Sequence, residues 1–190
     1  VMVWRASAPS FANSTSIMAY NLTSDSLIWR NDGIQDWNED LPSIKIVDGV
    51  VYSLTQKKLF ALDFMDGSTL WSHEFGGNKF FQTDIEVVEP FVLIKDVYEL
   101  FYFNRNNGAL VRTIQNLGFI KEKYSIFENK LYGSGGGISI IDIDKGEVLT
   151  KNITNNLTGW WHNGLVLDPL KRVFYTSDGY YAYCIKIPDL

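Results

Sequence analysis

An internal repeat of about 40 residues constrains the fold of this chain more than any other feature. Residues 61–71, Ala-Leu-Asp-Phe-Met-Asp-Gly-Ser-Thr-Leu-Trp, show the unit most clearly: the small residue Ala61, the anchor Asp63, the turn glycine Gly67 and the closing Trp71. Residues 19–29 repeat this spacing with Ala19, Asn21 and Trp29. Repeat periods near 40 are typical of propellers and related arrays.

Three weaker copies follow. Asn104 leads to Gly108 and then to Arg112, Asp142 leads to Gly146 and then to Thr150, and the last copy starts at Ala182 with Cys184 as its anchor. The five anchors are therefore 42, 41, 38 and 42 residues apart. We expect a single domain over residues 1–190, made of units at residues 1–36, 37–78, 79–118, 119–156 and 157–190.

The second unit contains four short apolar runs separated by turn residues. Strands are expected at residues 42–47, 50–54, 59–64 and 68–73, with hairpin turns at Asp48-Gly49 and Asp66-Gly67. The other units predict strands at residues 2–5, 17–21 and 27–30; 84–88, 91–94, 100–104 and 110–114; 124–127, 130–133, 138–142 and 148–153; and 164–167, 172–176 and 180–187.

This pattern predicts an all-β fold, because alternation of period two dominates and no segment has helical periodicity. Four antiparallel strands in about 40 residues correspond to one blade of a β-propeller. We expect five blades, of which the first and last are incomplete; the alternative is a part of a larger propeller.

The repeated residues have a physical purpose in such a blade. The short polar side chains of Asn21, Asp63, Asn104 and Asp142 can accept hydrogen bonds from turn amides. Gly67, Gly108 and Gly146 supply the positive φ that such turns require. Trp29 and Trp71 are expected to cover the gap between neighbouring blades, where each ring buries on the order of 200 Å².

Small-x-Asp-x-x-Thr-Gly-x-x-x-Trp is the tryptophan-docking motif of PQQ-like (quinoprotein-type) β-propeller repeats, and residues 61–71 resemble it closely. Asp66 stands where the family usually has Thr, and residues 19–29 have Asn21 for Asp and Asp25 for Gly. The resemblance implies a propeller fold. It does not imply one function, because the family includes cofactor enzymes, assembly scaffolds, stress-sensor domains and binding modules.

Charge and composition exclude several partners. The net charge is −5, and no Lys/Arg cluster is longer than Lys57-Lys58, so no nucleic-acid partner is expected. No run of 18 or more apolar residues occurs, so no membrane insertion is expected either. Cys184 is the single cysteine and is expected to be a buried, structural thiol. The cytoplasm is favoured as the compartment; the periplasm or secretion stays open if a leader was removed.

No catalytic, metal or cofactor site is expected from the residues. His73 and His162 are the two histidines and lie far apart in sequence, and the single cysteine precludes the vicinal disulfide that the resemblance implies for a PQQ-dependent dehydrogenase. Residues 142–147 resemble a calcium loop, but the turn of the repeat explains them more simply. We therefore expect no enzyme and no bound metal or cofactor.

The candidate binding residues lie in three loops between units, where aromatic and polar residues are mixed. These are Asp36 and Trp37, then Phe80 and Phe81, then Trp160, Trp161 and His162. Adjacent aromatic residues in such loops can form a binding hot spot. The favoured function is a non-catalytic protein-binding propeller, either an interaction scaffold or an immunity-type, toxin-neutralising protein, with a partner that could be basic. The alternatives are a five-bladed carbohydrate-binding lectin and, less favoured, a fragment of a PQQ-dependent dehydrogenase.

Overall fold

The structure is a computed structural model that describes residues 1–7, 15–34, 43–55, 57–76, 85–96, 99–115, 117, 124–134, 138–150, 166–177 and 182–188. The described residues form strands and turns and contain no helix. The prediction of an all-β chain is therefore confirmed. Within these ranges no helix is long and apolar enough to cross a bilayer.

The strands of the described ranges form five separate antiparallel sheets, and within each sheet strands adjacent in sequence pair. The first sheet has three strands, β1 (Met2–Ser7), β2 (Thr15–Asn21) and β3 (Ser26–Ile34). The second has four, β4 (Ser43–Val47), β5 (Val50–Leu54), β6 (Lys58–Asp63) and β7 (Thr69–Glu74).

The remaining sheets repeat this plan. The third comprises β8 (Glu86–Val88), β9 (Phe91–Lys95), β10 (Leu100–Asn104) and β11 (Leu110–Ile114). The fourth comprises β12 (Tyr124–Phe127), β13 (Lys130–Ser134), β14 (Ile138–Asp142) and β15 (Glu147–Thr150). The fifth comprises β16 (Val166–Asp168), β17 (Val173–Ser177) and β18 (Ala182–Lys186).

The contacts divide the chain into two compact units, the first of residues 1–94 and 102–111 and the second of residues 95–101 and 112–190. Each of the five sheets falls within one of the five predicted repeat units. The single domain over residues 1–190 stays a prediction.

The core of the first compact unit lies between the first and second sheets. Ile17, Ala19 and Trp29 pack against three buried residues of the second sheet, Val51, Phe60 and Leu62. Strand pairing places Ala19 opposite Trp29 and places Val51 opposite Leu62, so each group lies on one face of its sheet. In the second compact unit, Tyr132 and Ile140 pack with Phe174 and Ile187 in the same way.

The structure corrects the anchor of the fifth repeat. In three units the residue after the anchor donates its amide to the preceding hairpin turn: Phe64 N to Gly49 O at 2.9 Å, Arg105 N to Pro90 O at 3.0 Å and Ile143 N to Asn129 O at 3.0 Å. Ile187 N makes the equivalent bond to Arg172 O at 2.9 Å. The fifth anchor is therefore Lys186, and the prediction of Cys184 was wrong by two residues.

Cys184 itself occupies the position of the small residue, equivalent to Ala61. It pairs with Tyr175, just as Ala61 pairs with Tyr52. Its thiol is free and exposed, so the expectation of a buried cysteine was wrong. The strand is apolar enough to suggest burial, but this face of the fifth sheet is uncovered, with Tyr175 40% exposed and Val166 65% exposed.

Candidate functional site

The anchor side chains close the turns of the repeat as expected. Oδ1 of Asp63 accepts the Met65 amide at 2.7 Å, and Oδ1 of Asn104 accepts the Asn106 amide at 2.9 Å. Asn21 and Asp142 make the corresponding bonds, to Thr23 N at 2.9 Å and to Lys145 N at 3.0 Å. Each anchor thereby fixes the turn that leads into the last strand of its sheet.

The turn glycines have the positive φ that was predicted, at 72° for Gly67, 69° for Gly108 and 65° for Gly146. In the first unit Asp25 takes this conformation instead, with φ 50°. Aspartate is one of the few non-glycine residues that tolerate it. The other three turns need a glycine for a second reason as well. The side chain of the Trp or Arg that ends the preceding repeat lies directly over the glycine and leaves no room for a Cβ atom.

Trp29 and Trp71 bridge consecutive repeats in the same manner. Nε1 of Trp29 donates to the Phe64 carbonyl at 2.8 Å, and Nε1 of Trp71 donates to the Arg105 carbonyl at 2.9 Å. A Cβ atom at Gly67 would lie 2.6 Å from Cδ2 of Trp29, and one at Gly108 would lie 2.8 Å from Cδ2 of Trp71. Both indoles are nearly buried, at 6% and 9% exposed, and each lies over the turn glycine of the next repeat.

Arg112 takes the place of the indole in the next repeat. A Cβ atom at Gly146 would lie 2.7 Å from the guanidinium carbon of Arg112, and Nη1 of Arg112 donates to the Asp144 carbonyl at 3.2 Å. In the sequence, Arg112 stands where the first two repeats have tryptophan, and no role was predicted for it. The structure shows a flat donor group that covers the equivalent glycine of the next repeat.

The predicted binding residues Asp36, Trp37, Phe80, Phe81, Trp160, Trp161 and His162 lie outside the described residues. Their binding role stays a prediction. The described candidate site lies in the first compact unit, at the end of the second and third sheets that carries the β4–β5 and β10–β11 turns.

At that end, three turns of the first compact unit enclose a cleft of about 530 Å³. Asp48 comes from the β4–β5 turn, Glu89 from the β8–β9 turn, and Arg105 and Asn106 from the β10–β11 turn. Leu70 and Val50 add an apolar wall. The charged residues of the cleft thus come from hairpin turns of two consecutive repeats, which lie side by side.

Arg105 organises the cleft. Its Nη2 donates to Asp48 Oδ2 at 2.7 Å, its Nε donates to the Tyr52 hydroxyl at 3.1 Å, and its Nη1 donates to Glu89 Oε1. The hydrogen bond to Asp48, and then that to Tyr52, raise the pKa of the Arg105 guanidinium above its usual value. The side chain is 11% exposed, and its three hydrogen bonds hold the guanidinium in one position.

The two carboxylates remain open to solvent. Asp48 is 73% exposed and Glu89 is 67% exposed, and each uses only one oxygen toward Arg105. A carboxylate has about four lone-pair sites, so each can accept further donors. The two aromatic side chains that line the cleft are buried by contrast: Tyr52 is 0% exposed and Trp71 is 9% exposed.

This end of the first compact unit is acidic. Its described turns carry the carboxylates of Asp25, Asp48, Asp63, Asp66 and Glu89, and Arg105 is the one cationic side chain among them. The hydroxyl and amide of Ser68 lower the pKa of the Asp66 carboxyl, which keeps it ionised. The cleft therefore has the chemistry to accept cationic groups. The exposed carboxylates of Asp48 and Glu89 can accept their hydrogen bonds, and the half-exposed Leu70 lies beside them.

Metal-ligand residues are not gathered in the described part of the chain. No group of three or more His, Cys, Asp or Glu side chains there has the spacing of a metal site. His73 packs against Phe103 with ring centroids 4.7 Å apart and hydrogen-bonds the Gly108 backbone, and burial lowers its pKa below 6.5. It belongs to the Trp71 junction rather than to the cleft.

Sequence reasoning missed the cleft because its charged residues lie in different repeats. Asp48 and Glu89 occupy hairpin turns one repeat apart, and each alone looks like an ordinary turn residue. The available signal was the position of Arg105 directly after the anchor Asn104, where the other repeats have Phe64 or Ile143.

No protein-family model and no curated protein sequence matches the chain. Several solved structures share its fold. BamB from Moraxella catarrhalis is 14% identical with a TM-score of 0.59, and the match covers 90% of this chain and 67% of BamB. The computationally designed Ika8 protein is 14% identical with a TM-score of 0.68, covering 95% of this chain and 58% of Ika8.

A quinohemoprotein alcohol dehydrogenase from Comamonas testosteroni is 11% identical with a TM-score of 0.62, covering 91% of this chain and 41% of the dehydrogenase. The chain thus spans between about two fifths and two thirds of the length of these three proteins. BamB and the dehydrogenase are β-propellers, and the likeness at this identity concerns the fold alone. The predicted fold class is therefore confirmed: the chain is an all-β protein with the β-propeller fold.

Proposed function

We propose that this chain is a non-catalytic β-propeller that binds a protein partner, and that the acidic cleft around Arg105 receives a basic segment of that partner. We also propose that its repeats belong to the PQQ-like, tryptophan-docking type. The observation that carries the functional proposal is the pair of exposed carboxylates, Asp48 and Glu89, held in a fixed position by one nearly buried arginine.

Preorganisation favours this site over the other acidic residues of the surface. A surface carboxylate on a mobile side chain contributes little to binding, since its ordering costs as much as its charge supplies. Asp48 and Glu89 are already oriented by Arg105, which also takes part in the Trp71 junction through its carbonyl. A cation entering between them meets two acceptors without that ordering cost.

The apolar wall suits the stem of a lysine or arginine. Leu70 is 51% exposed and lines the cleft. Long cationic side chains lay their methylene groups on such surfaces while the charged head stays among acceptors and water. The net charge of −5 adds attraction for a basic partner at long range.

A scaffold and an immunity-type protein that neutralises a basic toxin are two forms of this proposal. A lectin is less well supported, because sugar rings stack on open aromatic faces and both aromatic rings of the cleft are closed. A role as a fragment of a PQQ-dependent dehydrogenase has no supporting feature among the described residues, and we propose that the chain acts without catalysis.

The test measures binding of a lysine-rich peptide of about 12 residues by calorimetry, with a glutamate-rich peptide of the same length beside it. We expect saturable binding of the lysine-rich peptide only, weakened by raising the salt concentration. The double variant Asp48→Asn/Glu89→Gln should bind at least about tenfold more weakly, which corresponds to ~1.4 kcal/mol. Its circular dichroism should match that of the wild type.

Glu74→Gln is the matched control. Glu74 is 69% exposed, close to the 67% of Glu89, and its partner Lys58 lies on the neighbouring strand of the same sheet, away from the cleft. It is compared with the single variant Glu89→Gln, because each removes one negative charge: Glu74→Gln should keep wild-type affinity and Glu89→Gln should weaken binding. Equal weakening by both variants would mean a diffuse charge effect and no site at the cleft. Saturable binding to a glycan array, without peptide binding, would favour the lectin instead.

A further inference from the structure

The Arg105 cleft divides its free acceptor atoms between two carboxylates. Nη2 of Arg105 donates to Oδ2 of Asp48, and Nη1 donates to Oε1 of Glu89. Oδ1 of Asp48 and Oε2 of Glu89 take part in neither bond, and both side chains are open to solvent. A cation in the cleft therefore meets one free oxygen on each of two turns, and neither carboxylate has both oxygens free.

This arrangement does not suit a second guanidinium. Arginine binds a carboxylate best through two parallel hydrogen bonds, one to each oxygen of the same group. At Asp48 and at Glu89, one of these two oxygens already accepts a hydrogen bond from Arg105. A bidentate pair would have to displace Arg105, whose side chain is 11% exposed. Removing a partner from a nearly buried charge is strongly destabilising, so this exchange opposes the binding of arginine.

The ammonium group of a lysine fits the same acceptors. It is a compact charge with three donors at the end of a flexible stem, and it needs no planar partner. It can donate to Asp48 Oδ1 and to Glu89 Oε2 while both carboxylates keep their bonds to Arg105. Val50 and Leu70 line the cleft beside them, so the methylene groups of the stem have an apolar surface to lie on.

Methyl groups on the lysine nitrogen remove this fit. Trimethyl-lysine keeps its positive charge but has no N–H donor for the carboxylates. Proteins that bind quaternary ammonium groups hold them against the faces of aromatic rings. The aromatic side chains that line this cleft, Tyr52 and Trp71, are 0% and 9% exposed, so they do not offer an open face.

We propose that the Arg105 cleft is specific for the unmodified lysine side chain and discriminates against arginine and trimethyl-lysine in partner segments of equal charge. The proposal rests on the proposed function, in which a basic segment occupies the cleft, and adds which cationic group is recognised there. Arg105 sets this specificity, because it occupies one oxygen of each carboxylate.

Calorimetry with three peptides of equal length and net charge tests the specificity. One is rich in lysine, one has arginine at the same positions, and one has trimethyl-lysine there. Long-range attraction by the acidic surface is the same for all three at one salt concentration, so a difference in affinity reports contacts in the cleft. We expect the lysine-rich peptide to bind at least about tenfold more tightly than either of the others.

The outcomes separate this proposal from the proposed function. Equal affinities, or tighter binding of the arginine-rich or trimethylated peptide, would overturn the specificity for lysine and leave the binding of a basic segment in place. No saturable binding of the lysine-rich and arginine-rich peptides would refute both.

Asp48→Asn tests whether the two carboxylates act together. Asparagine keeps an oxygen for Arg105 but replaces the second acceptor by a donor, so the ratio of the affinities for the lysine-rich and arginine-rich peptides should fall toward one. Asp66→Asn is the matched control, because Asp66 is exposed, does not line the cleft and accepts the Ser68 amide through an oxygen that asparagine also has. It should leave the ratio unchanged. Both variants should keep the circular dichroism of the wild type. An unchanged ratio in Asp48→Asn, or an equal fall in both variants, would place the preference for lysine outside the cleft and overturn the proposal.

Discussion

Two junctions of the molecule use the same backbone and different side chains. At one, Trp71 covers Gly108 and donates to the Arg105 carbonyl; at the other, Arg112 covers Gly146 and donates to the Asp144 carbonyl. The receiving turn is the same in both, with a glycine at positive φ and an anchor that accepts its amide. The comparison shows that the same receiving turn accepts two different covering groups, an indole and a guanidinium.

The two junctions differ in what they bury. Trp71 is 9% exposed and packs on Tyr52, with ring centroids 6.0 Å apart. Arg112 is only half-buried. The hydrophobic effect scales with the apolar area removed from water, so the tryptophan junction should contribute more to stability.

The largest expected effect is the loss of the indole. Trp71→Ala should lower the free energy of unfolding by ~3–5 kcal/mol, as is typical for truncation of a buried aromatic residue. Arg112→Ala should cost only ~1 kcal/mol, the value of one net hydrogen bond. Urea unfolding followed by circular dichroism measures both, and equal losses would contradict the view that burial distinguishes the junctions.

Adding a methyl group to the receiving turn should give the next largest effect. Gly108→Ala forces its Cβ into the buried ring of Trp71 and strains a positive φ, so we expect a loss of ~2–4 kcal/mol. Gly146→Ala carries the same backbone strain, but the Arg112 side chain is flexible and can move away. Its expected loss is ~1 kcal/mol.

Thermal unfolding of the two glycine variants checks this difference. Gly49→Ala is a useful control, since Gly49 also has a positive φ, 76°, but has no atom within 4 Å of the position of an added Cβ. It therefore measures the backbone strain alone. If Gly108→Ala were no worse than Gly49→Ala, the close contact between Trp71 and Gly108 would be refuted.

The sequence was sufficient to predict the strands and the indole junctions, because their signals are local. Hairpin turns such as Asp48-Gly49 and alternating apolar runs fix each sheet, and Trp29 and Trp71 recur at one position. Arg112 was not recognised as a covering residue, because an arginine carries no hydrophobic signal. The fifth anchor was misplaced because Lys186 lacks the acceptor that marks the other anchors.

The Arg105 cleft and the exposure of one face of the fifth sheet could not be predicted from the sequence for a different reason. Asp48, Glu89 and Arg105 come together only through the packing of consecutive repeats, and no local pattern encodes that distance. Whether the face with Tyr175 and Cys184 is exposed depends equally on the packing of whole sheets. Local motifs predict which residues build a sheet but not which surfaces remain accessible.

The smallest expected effect concerns pH and applies to the tryptophan junction alone. His73 lies two residues after Trp71 and hydrogen-bonds the Gly108 backbone, whereas Ile114 occupies this position after Arg112. Burial depresses the pKa of the His73 imidazole below the 6.5 expected of the unfolded chain. Between these two pKa values the unfolded state binds more protons, so the contribution to stability is complete above pH 6.5 and is lost as the pH falls through the folded pKa.

His73→Ile places the residue of the arginine junction in the tryptophan junction and removes this titration. The difference in the free energy of unfolding between wild type and variant should therefore change between pH 5 and 7, with the wild type losing relative stability toward pH 5. Urea unfolding at each half-unit of pH measures it, and the subtraction cancels His162 and the carboxylates. A difference that stays constant from pH 5 to 7 would mean that His73 is as open to solvent in the folded protein as in the unfolded chain, and that the tryptophan junction is no better shielded from water than the arginine junction.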